Sequence, residues 1–273
     1  LKTDTDNGLQ QMANSQFERF IGVDYSGAKT SASRLSAIQV YLSDGGREPT
    51  LVSSPFSTAG GTRNWCRQEV AEFVIAEARS GRPLIAGIDH GFSFPLSYFR
   101  KYGIDSWSSF LEDFCASWPM TRNDVTVDSV RKRDEDPPRV GEPDALRLTE
   151  KWTPSAKSVF LFDVQGSVAK STHAGLPWLK HVRDKAGELL HFWPFDGWCV
   201  PPGKSVIAEV YPSIFRRRYS TAERTPDQQD AYSVARWLSD ADKSGTLSRY
   251  FDPPLTESER ATANREGWIL GVT

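Results

Sequence analysis

An α/β fold on a mixed five-stranded sheet, with a long insertion before the last strand, is what three features of this chain predict. Two apolar runs each end in an acid: Phe20-Ile21-Gly22-Val23 is closed by Asp24, and Leu84-Ile85-Ala86-Gly87-Ile88 by Asp89. Such runs read as buried parallel strands. Asp44-Gly45-Gly46 is a hairpin signal that sets antiparallel strands beside the first. Thr225-Pro226-Asp227-Gln228 combines an N-cap, a proline at the first helical position and a capping-box glutamine, so a long helix starts there.

In order, residues 1–17 form a polar leader and residues 18–270 a single domain. Strand one covers Phe20 to Tyr25, strand two Leu35 to Leu42 and strand three Thr50 to Ser54, joined as an antiparallel meander. Thr62 is the expected cap of a helix whose apolar face carries Cys66, Val70, Phe73 and Val74 and which ends near Gly81. Pro83 then opens strand four. Residues 90–203 lose any simple period and read as an inserted lobe, with helical pieces at Trp107 to Trp118 and Leu176 to Arg183. Within it, the charged run from Arg131 to Pro138 reads as an exposed loop. Strand five spans Val206 to Tyr211 and is stopped by Pro212. The last long helix buries Ala231, Val234, Ala235, Leu238 and Ala241.

Composition narrows the function classes. With 38% hydrophobic and 25% charged residues the chain is an ordinary globular one, and a net charge of −2 gives no global basic footprint. That counts against a coating protein for nucleic acid, though a local basic strip remains available in Lys29, Arg131-Lys132-Arg133 and Arg216-Arg217-Arg218. The three cysteines, Cys66, Cys115 and Cys199, match no zinc spacing and fit a reducing cytoplasm. No stretch approaches the roughly 18 apolar residues of a membrane span, so no membrane partner is expected.

Four carboxylates stand where apolar or amphipathic segments disfavour them: Asp24, Asp89, Glu209 and Asp230. Glu209 lies inside Val206-Ile207-Ala208-Glu209-Val210-Tyr211, where an unpaired charge costs several kcal/mol. Acids at the ends of two parallel strands, inside a third and early in a helix are expected to converge on one or two divalent cations. Each also has an ordinary reading. For Asp24 it is a strand-end residue capping its own turn, and for Asp227, which shares a helix face with Asp230, a first-turn acid favouring the helix dipole. His90 beside Asp89 reads as structural rather than as a proton shuttle, and His173, His181 and His191 form no ligand spacing. Trp178, Trp193 and Trp198 offer base-stacking surfaces, against the commoner role of tryptophan in a core. Gly166-Ser167-Val168-Ala169-Lys170-Ser171-Thr172 fails as a phosphate loop, which needs Gly where this chain has Ala169 and Val164; Lys170 remains a candidate phosphate contact.

The element order is that of the ribonuclease H-like fold. Ile21-Gly22-Val23-Asp24-Tyr25-Ser26-Gly27-Ala28-Lys29, Gly87-Ile88-Asp89, Glu209-Val210-Tyr211-Pro212, Asp230-Ala231 and the terminal Glu266-Gly267-Trp268-Ile269 together resemble the domain-of-unknown-function family numbered 429, a group of predicted ribonuclease H-like nucleases. The resemblance spans about residues 18–270 in order. It implies a metal-dependent nuclease that hydrolyses phosphodiester bonds, with magnesium or manganese as cofactor and nucleic acid of unspecified type as partner. Asp24, Asp89, Glu209 and Asp230 are then the catalytic metal ligands, Asp227 resembles the paired helix acid of resolvases, and Ser26, Lys29 and Lys170 meet substrate. Two ions about 4 Å apart would bridge through Asp24. Glu209 has no equivalent in ordinary ribonuclease H. Two other readings stand beside this one: an actin-like or sugar-kinase-like phosphotransferase, for which the chain shows no second duplicated lobe, and a noncatalytic nucleic-acid or protein-binding module on the same fold.

Overall fold

The computed structural model describes residues 15–27, 29–55 and 64–273. Strand β1 (Arg19–Tyr25) pairs antiparallel with β2 (Ile38–Asp44), which pairs antiparallel with the short β3 (Thr50–Leu51). On its other edge β1 runs parallel to β4 (Leu84–Asp89). An edge strand β5 (Leu190–Trp193) is parallel to β6 (Ser205–Glu209), which is parallel to β4, so the order across the sheet is β3-β2-β1-β4-β6-β5. Helix α1 (Arg67–Arg79) links β3 to β4. Between β4 and β5 lie α2 (Leu96–Tyr102), α3 (Trp107–Ser117), α4 (Val127–Arg131), α5 (Leu148–Trp152) and α6 (Ala169–Ala186), and after β6 come α7 (Pro226–Lys243), α8 (Leu247–Tyr250) and α9 (Glu257–Glu266).

The protein is therefore a mixed α/β fold, and the meander, the parallel β4 and the capped α7 lie where the sequence predicts them. The sheet has six strands rather than five. Leu190-His191-Phe192-Trp193 is only four residues long, too short to show a period within a stretch that reads as irregular. Strand β2 starts at Ile38 and not at Leu35, because the Leu35 N–H bonds instead to the Trp65 carbonyl at 3.0 Å. Strand β3 ends at Leu51 and not at Ser54, although the Val52 N–H still reaches the Val40 carbonyl at 2.9 Å. Strand β6 ends at Glu209 rather than at Tyr211, since the C-terminal segment takes over the ladder there: the Leu270 N–H donates to the Glu209 carbonyl at 2.9 Å. Helix α6 runs 18 residues, straight through Pro177. The expected cap Thr62 lies outside the described residues.

Both faces of the sheet are covered, and the alternation of side chains decides what meets what. Ile21, Val23, Ile88 and Ile207 face a core that continues through Phe92 and Phe94 into Phe110, Phe114 and Phe160 of the insertion. The inserted residues thus extend the domain's own core, with α1 and α6 packed together on this side. Phe20, Ile85, Val206 and Ala208 face the opposite way, against Val234, Trp237 and Leu238 of α7. Here two glycines matter. Gly22 and Gly87 are register partners on β1 and β4. A Cβ on Gly22 would collide with the Ala231 carbonyl oxygen and stand 2.6 Å from the Ala235 nitrogen, and one on Gly87 would come within 2.7 Å of Val234. Their absence of side chain lets α7 lie directly on the strands.

The first and last described segments are tied into this frame. The Ser15 hydroxyl and Phe17 N–H both donate to the Asp242 carboxylate of α7, so the last residues of the expected leader are docked. Glu266, in the terminal Glu-Gly-Trp-Ile motif, accepts the first N–H groups of two helices at once, Leu96 of α2 and Leu148 of α5, each at 2.5 Å. Both donors are unpaired within their own helices. No helix among the described residues is long and apolar enough to cross a membrane.

Candidate functional site

Asp24 and Asp89 are the last register pair between β1 and β4. Each lies two residues beyond its glycine, so both carboxylates leave the sheet on the α7 side. Helix α7 arrives with its N-terminus over them. Thr225 accepts from the Gln228 N–H at 3.3 Å and the Gln228 side chain accepts from the Thr225 N–H at 3.0 Å, a reciprocal cap that stabilises the start by about 1 kcal/mol. Asp227 and Asp230 follow on one face of its first turns.

Burial raises all four of these acids, and neighbouring charge adds to the rise at Asp24, Asp89 and Asp230. Burial pushes the Asp24 carboxyl up to about 7, against two opposing hydrogen bonds from Ser26, and the charges of Asp227 and Asp230 add to the rise. Asp89 is raised well above the carboxylate range, first by desolvation and then by Asp24, Asp230 and Glu209, with Arg216 opposing. Asp230 and Asp227 are both raised by burial, the former held down in part by Arg216. Few partners relieve this crowding. The Ser26 N–H donates to Asp24 Oδ1 at 2.8 Å, and Arg216 Nη1 straddles the two Asp230 oxygens at 3.2 and 3.3 Å. Among the described residues, no hydrogen bond or ion pair reaches the carboxylates of Asp89 and Asp227.

Glu209 differs from these acids in facing and in partners, which corrects the expected four-acid cluster, although its charge is felt at Asp89 and the two line one small cavity with His90 and Arg147. Its register partner is Ile88, and it shares a face with Ile207, so its carboxylate projects to the insertion side while Asp24 and Asp89 project to α7. There it is fully engaged. Arg147 donates to both oxygens in a fork, Nη2 to Oε1 at 2.5 Å and Nη1 to Oε2 at 2.7 Å, and the Phe92 N–H adds a bond at 2.9 Å. Arg147 also donates through Nε to Glu150 at 2.9 Å and through Nη1 to the Glu266 carbonyl at 3.2 Å. It is 1% exposed. Against the cost of that burial, Glu209 and Glu150 hold its guanidinium above its ordinary value. Sequence reading missed Arg147, whose one signal is a charge set between Leu146 and Leu148.

The remaining expected residues divide. Ser26 and Lys170 line one cleft of about 480 Å³ together with Gly27, Phe162, Asp163 and Ser171, and Lys170 Nζ donates to Asp128 at 2.7 Å. Lys29 is exposed, with no ion pair among the described residues. His90 is buried between Tyr25 and Phe92, bonds the Gly91 carbonyl and is pushed by burial down to about 3, so it stays neutral and structural. Trp178 and Trp193 are buried in the core and present no face for a base, while Trp198 donates to Asn264 and lies under Arg260. Arg131 of the basic run is held by Asp163 and stacks on Phe162.

The donor set of Asp24, Asp89, Asp227 and Asp230 is all oxygen and mutually repelling, which suits a hard divalent cation such as magnesium or manganese that retains several waters. Among the described residues no group of three or more His, Cys, Asp or Glu side chains is placed so as to hold a metal ion. No family model, no curated protein and no solved structure matches the chain.

Proposed function

We infer that the protein is a metal-dependent nuclease on a ribonuclease H-like fold, acting on phosphodiester bonds of nucleic acid through Asp24, Asp89 and Asp230. The observation that carries this reading is the pairing of Asp24 with Asp89 on adjacent parallel strand ends, on the face where α7 delivers Asp230. Ligands of open α/β sheets collect outside such ends. The ordered motifs that resemble the family numbered 429 support the same reading.

A bound magnesium or manganese would polarise the phosphate and lower the pKa of a coordinated water. The chain's own groups do the rest. The Ser26 N–H fixes the orientation of Asp24, the reciprocal cap at Thr225 and Gln228 fixes α7 and with it Asp230, and Gly22 and Gly87 set the distance between helix and strands. The Arg147–Glu209 pair is a structural brace beside the site rather than a ligand set. Ser26 and Lys170 place polar groups in the adjoining cleft, and Lys29 supplies an exposed cation for a flanking phosphate. Three unpaired cysteines fit a reducing cytoplasm as the setting.

The test is cleavage of end-labelled single-stranded, duplex, hybrid and branched substrates with manganese, by the wild type and by Asp24→Asn and Asp89→Asn. Cleavage that needs metal and disappears in both variants is expected. Equal cleavage by the variants, or none across the panel together with no manganese uptake, would sink the reading.

A further inference from the structure

Asp24 and Asp89 are register partners at the strand ends on the α7 side, α7 carries Asp227 and Asp230, and among the described residues one cation, Arg216, is ion-paired with any of these acids. Its hold is poor by the standard of the same molecule. A single nitrogen spans both oxygens of Asp230 at 3.2 and 3.3 Å, whereas Arg147 grips Glu209 with two nitrogens at 2.5 and 2.7 Å. Charge-assisted bonds of good geometry measure about 2.7–2.9 Å. The Arg216 side chain is also 42% exposed. Its backbone, by contrast, is fixed. Phe215 is buried and stacks flat on Trp237 with centroids 4.6 Å apart, and the Gln229 amide donates to the carbonyls of Arg216 and Tyr219. A long side chain on a rigid base, loosely bonded to a carboxylate that a metal would claim, can leave without disturbing the fold.

We propose that Arg216 is the resident counter-ion of the site, displaced from Asp230 by an incoming divalent cation, and that the released guanidinium then binds a phosphate of the substrate. This rests on the metal-dependent reading given above and adds a regulation to it. Metal and polyanion binding become positively coupled, because each draws on the same release of Arg216. In the metal-free protein Arg216 stays with Asp230, which keeps the acids partly neutralised and withholds one phosphate contact. Guanidinium groups suit that second task through their planar set of donors.

Manganese titration into the full chain by calorimetry tests the first half, with wild type, Arg216→Gln and Arg216→Lys compared. Loss of a competing cation at a partly exposed ion pair should tighten manganese binding about three- to tenfold in Arg216→Gln, and Arg216→Lys should stay within about twofold of wild type. The second half is read from anisotropy of a fluorescein-labelled phosphorothioate oligonucleotide. At saturating manganese the Arg216→Gln variant should bind it about fivefold more weakly than wild type, and without metal the two should agree within about twofold. Unchanged or weaker manganese binding in Arg216→Gln overturns the displacement, as does an equal loss of oligonucleotide affinity with and without metal. Failure of the wild type itself to take up manganese is a different result, and overturns the metal-dependent reading along with the proposal.

Discussion

Asp89 and Glu209 end neighbouring parallel strands one register step apart, and their carboxylates meet opposite fates. Glu209 turns to the insertion side, where Arg147 and the Phe92 N–H satisfy it. Asp89 turns to the α7 side, where it faces Asp24 and Asp230 and finds no partner among the described residues. The Glu209 carboxylate is neutralised by a buried partner, whereas burial and neighbouring acids push the Asp89 carboxyl up. On the proposed reading, the brace and the metal site lie on the two faces of a single sheet.

The contrast breaks most directly at Arg147. Arg147→Met strands Glu209 and Glu150 as buried acids, and urea denaturation should show a loss of about 3–5 kcal/mol; a loss under 1 kcal/mol would mean that the brace is not one. Gly22→Ala probes the other face. Its new methyl meets the backbone of Ala231 and Ala235, so α7 must rise from the strands, at a cost of about 1–3 kcal/mol and with weaker manganese binding as Asp230 moves away. Wild-type stability and affinity in this variant would place the helix differently.

Removing charge on the α7 side should act with the opposite sign. Asp24→Asn relieves repulsion and desolvation while an amide oxygen can still accept from Ser26, so the metal-free protein at neutral pH should gain about 1–3 kcal/mol, while Glu209→Gln should lose stability. A destabilised Asp24→Asn would contradict this. The pH dependence follows from the same groups. With Asp24 titrating near 7 in the fold against an ordinary value of 3.8, the native state keeps a proton that the unfolded chain has released. Melting temperature of the metal-free protein should therefore fall as pH rises from about 4 to about 7, and the slope should flatten in Asp24→Asn. Smallest of all, Lys29→Gln should leave stability within about 0.5 kcal/mol and weaken only the oligonucleotide contact.

How much of this could be read beforehand depends on the residue. The placement of Asp24 and Asp89 at parallel strand ends and of Asp230 on a capped helix was legible, because apolar runs closed by an acid and a capping box both show in the sequence. The Gly-x-Asp pattern recurs in Gly22-Val23-Asp24 and Gly87-Ile88-Asp89 and encodes the α7 seat, yet its meaning needs the register that makes the glycines partners. The direction of Glu209 was not legible. A strand buried on both faces is apolar throughout, so the two-residue alternation that would reveal its facing is erased. Arg147 was hidden for a related reason, since its value lies in carboxylates 62 and 3 residues away along the chain.

The separation of the two faces is tested most directly by calorimetric titration of manganese into wild type, Asp24→Asn and Glu209→Gln at a temperature where circular dichroism shows all three folded. Saturable binding weakened at least about tenfold in Asp24→Asn and kept within about twofold in Glu209→Gln is the predicted result. Equal loss in both variants would put Glu209 among the ligands and contradict the account.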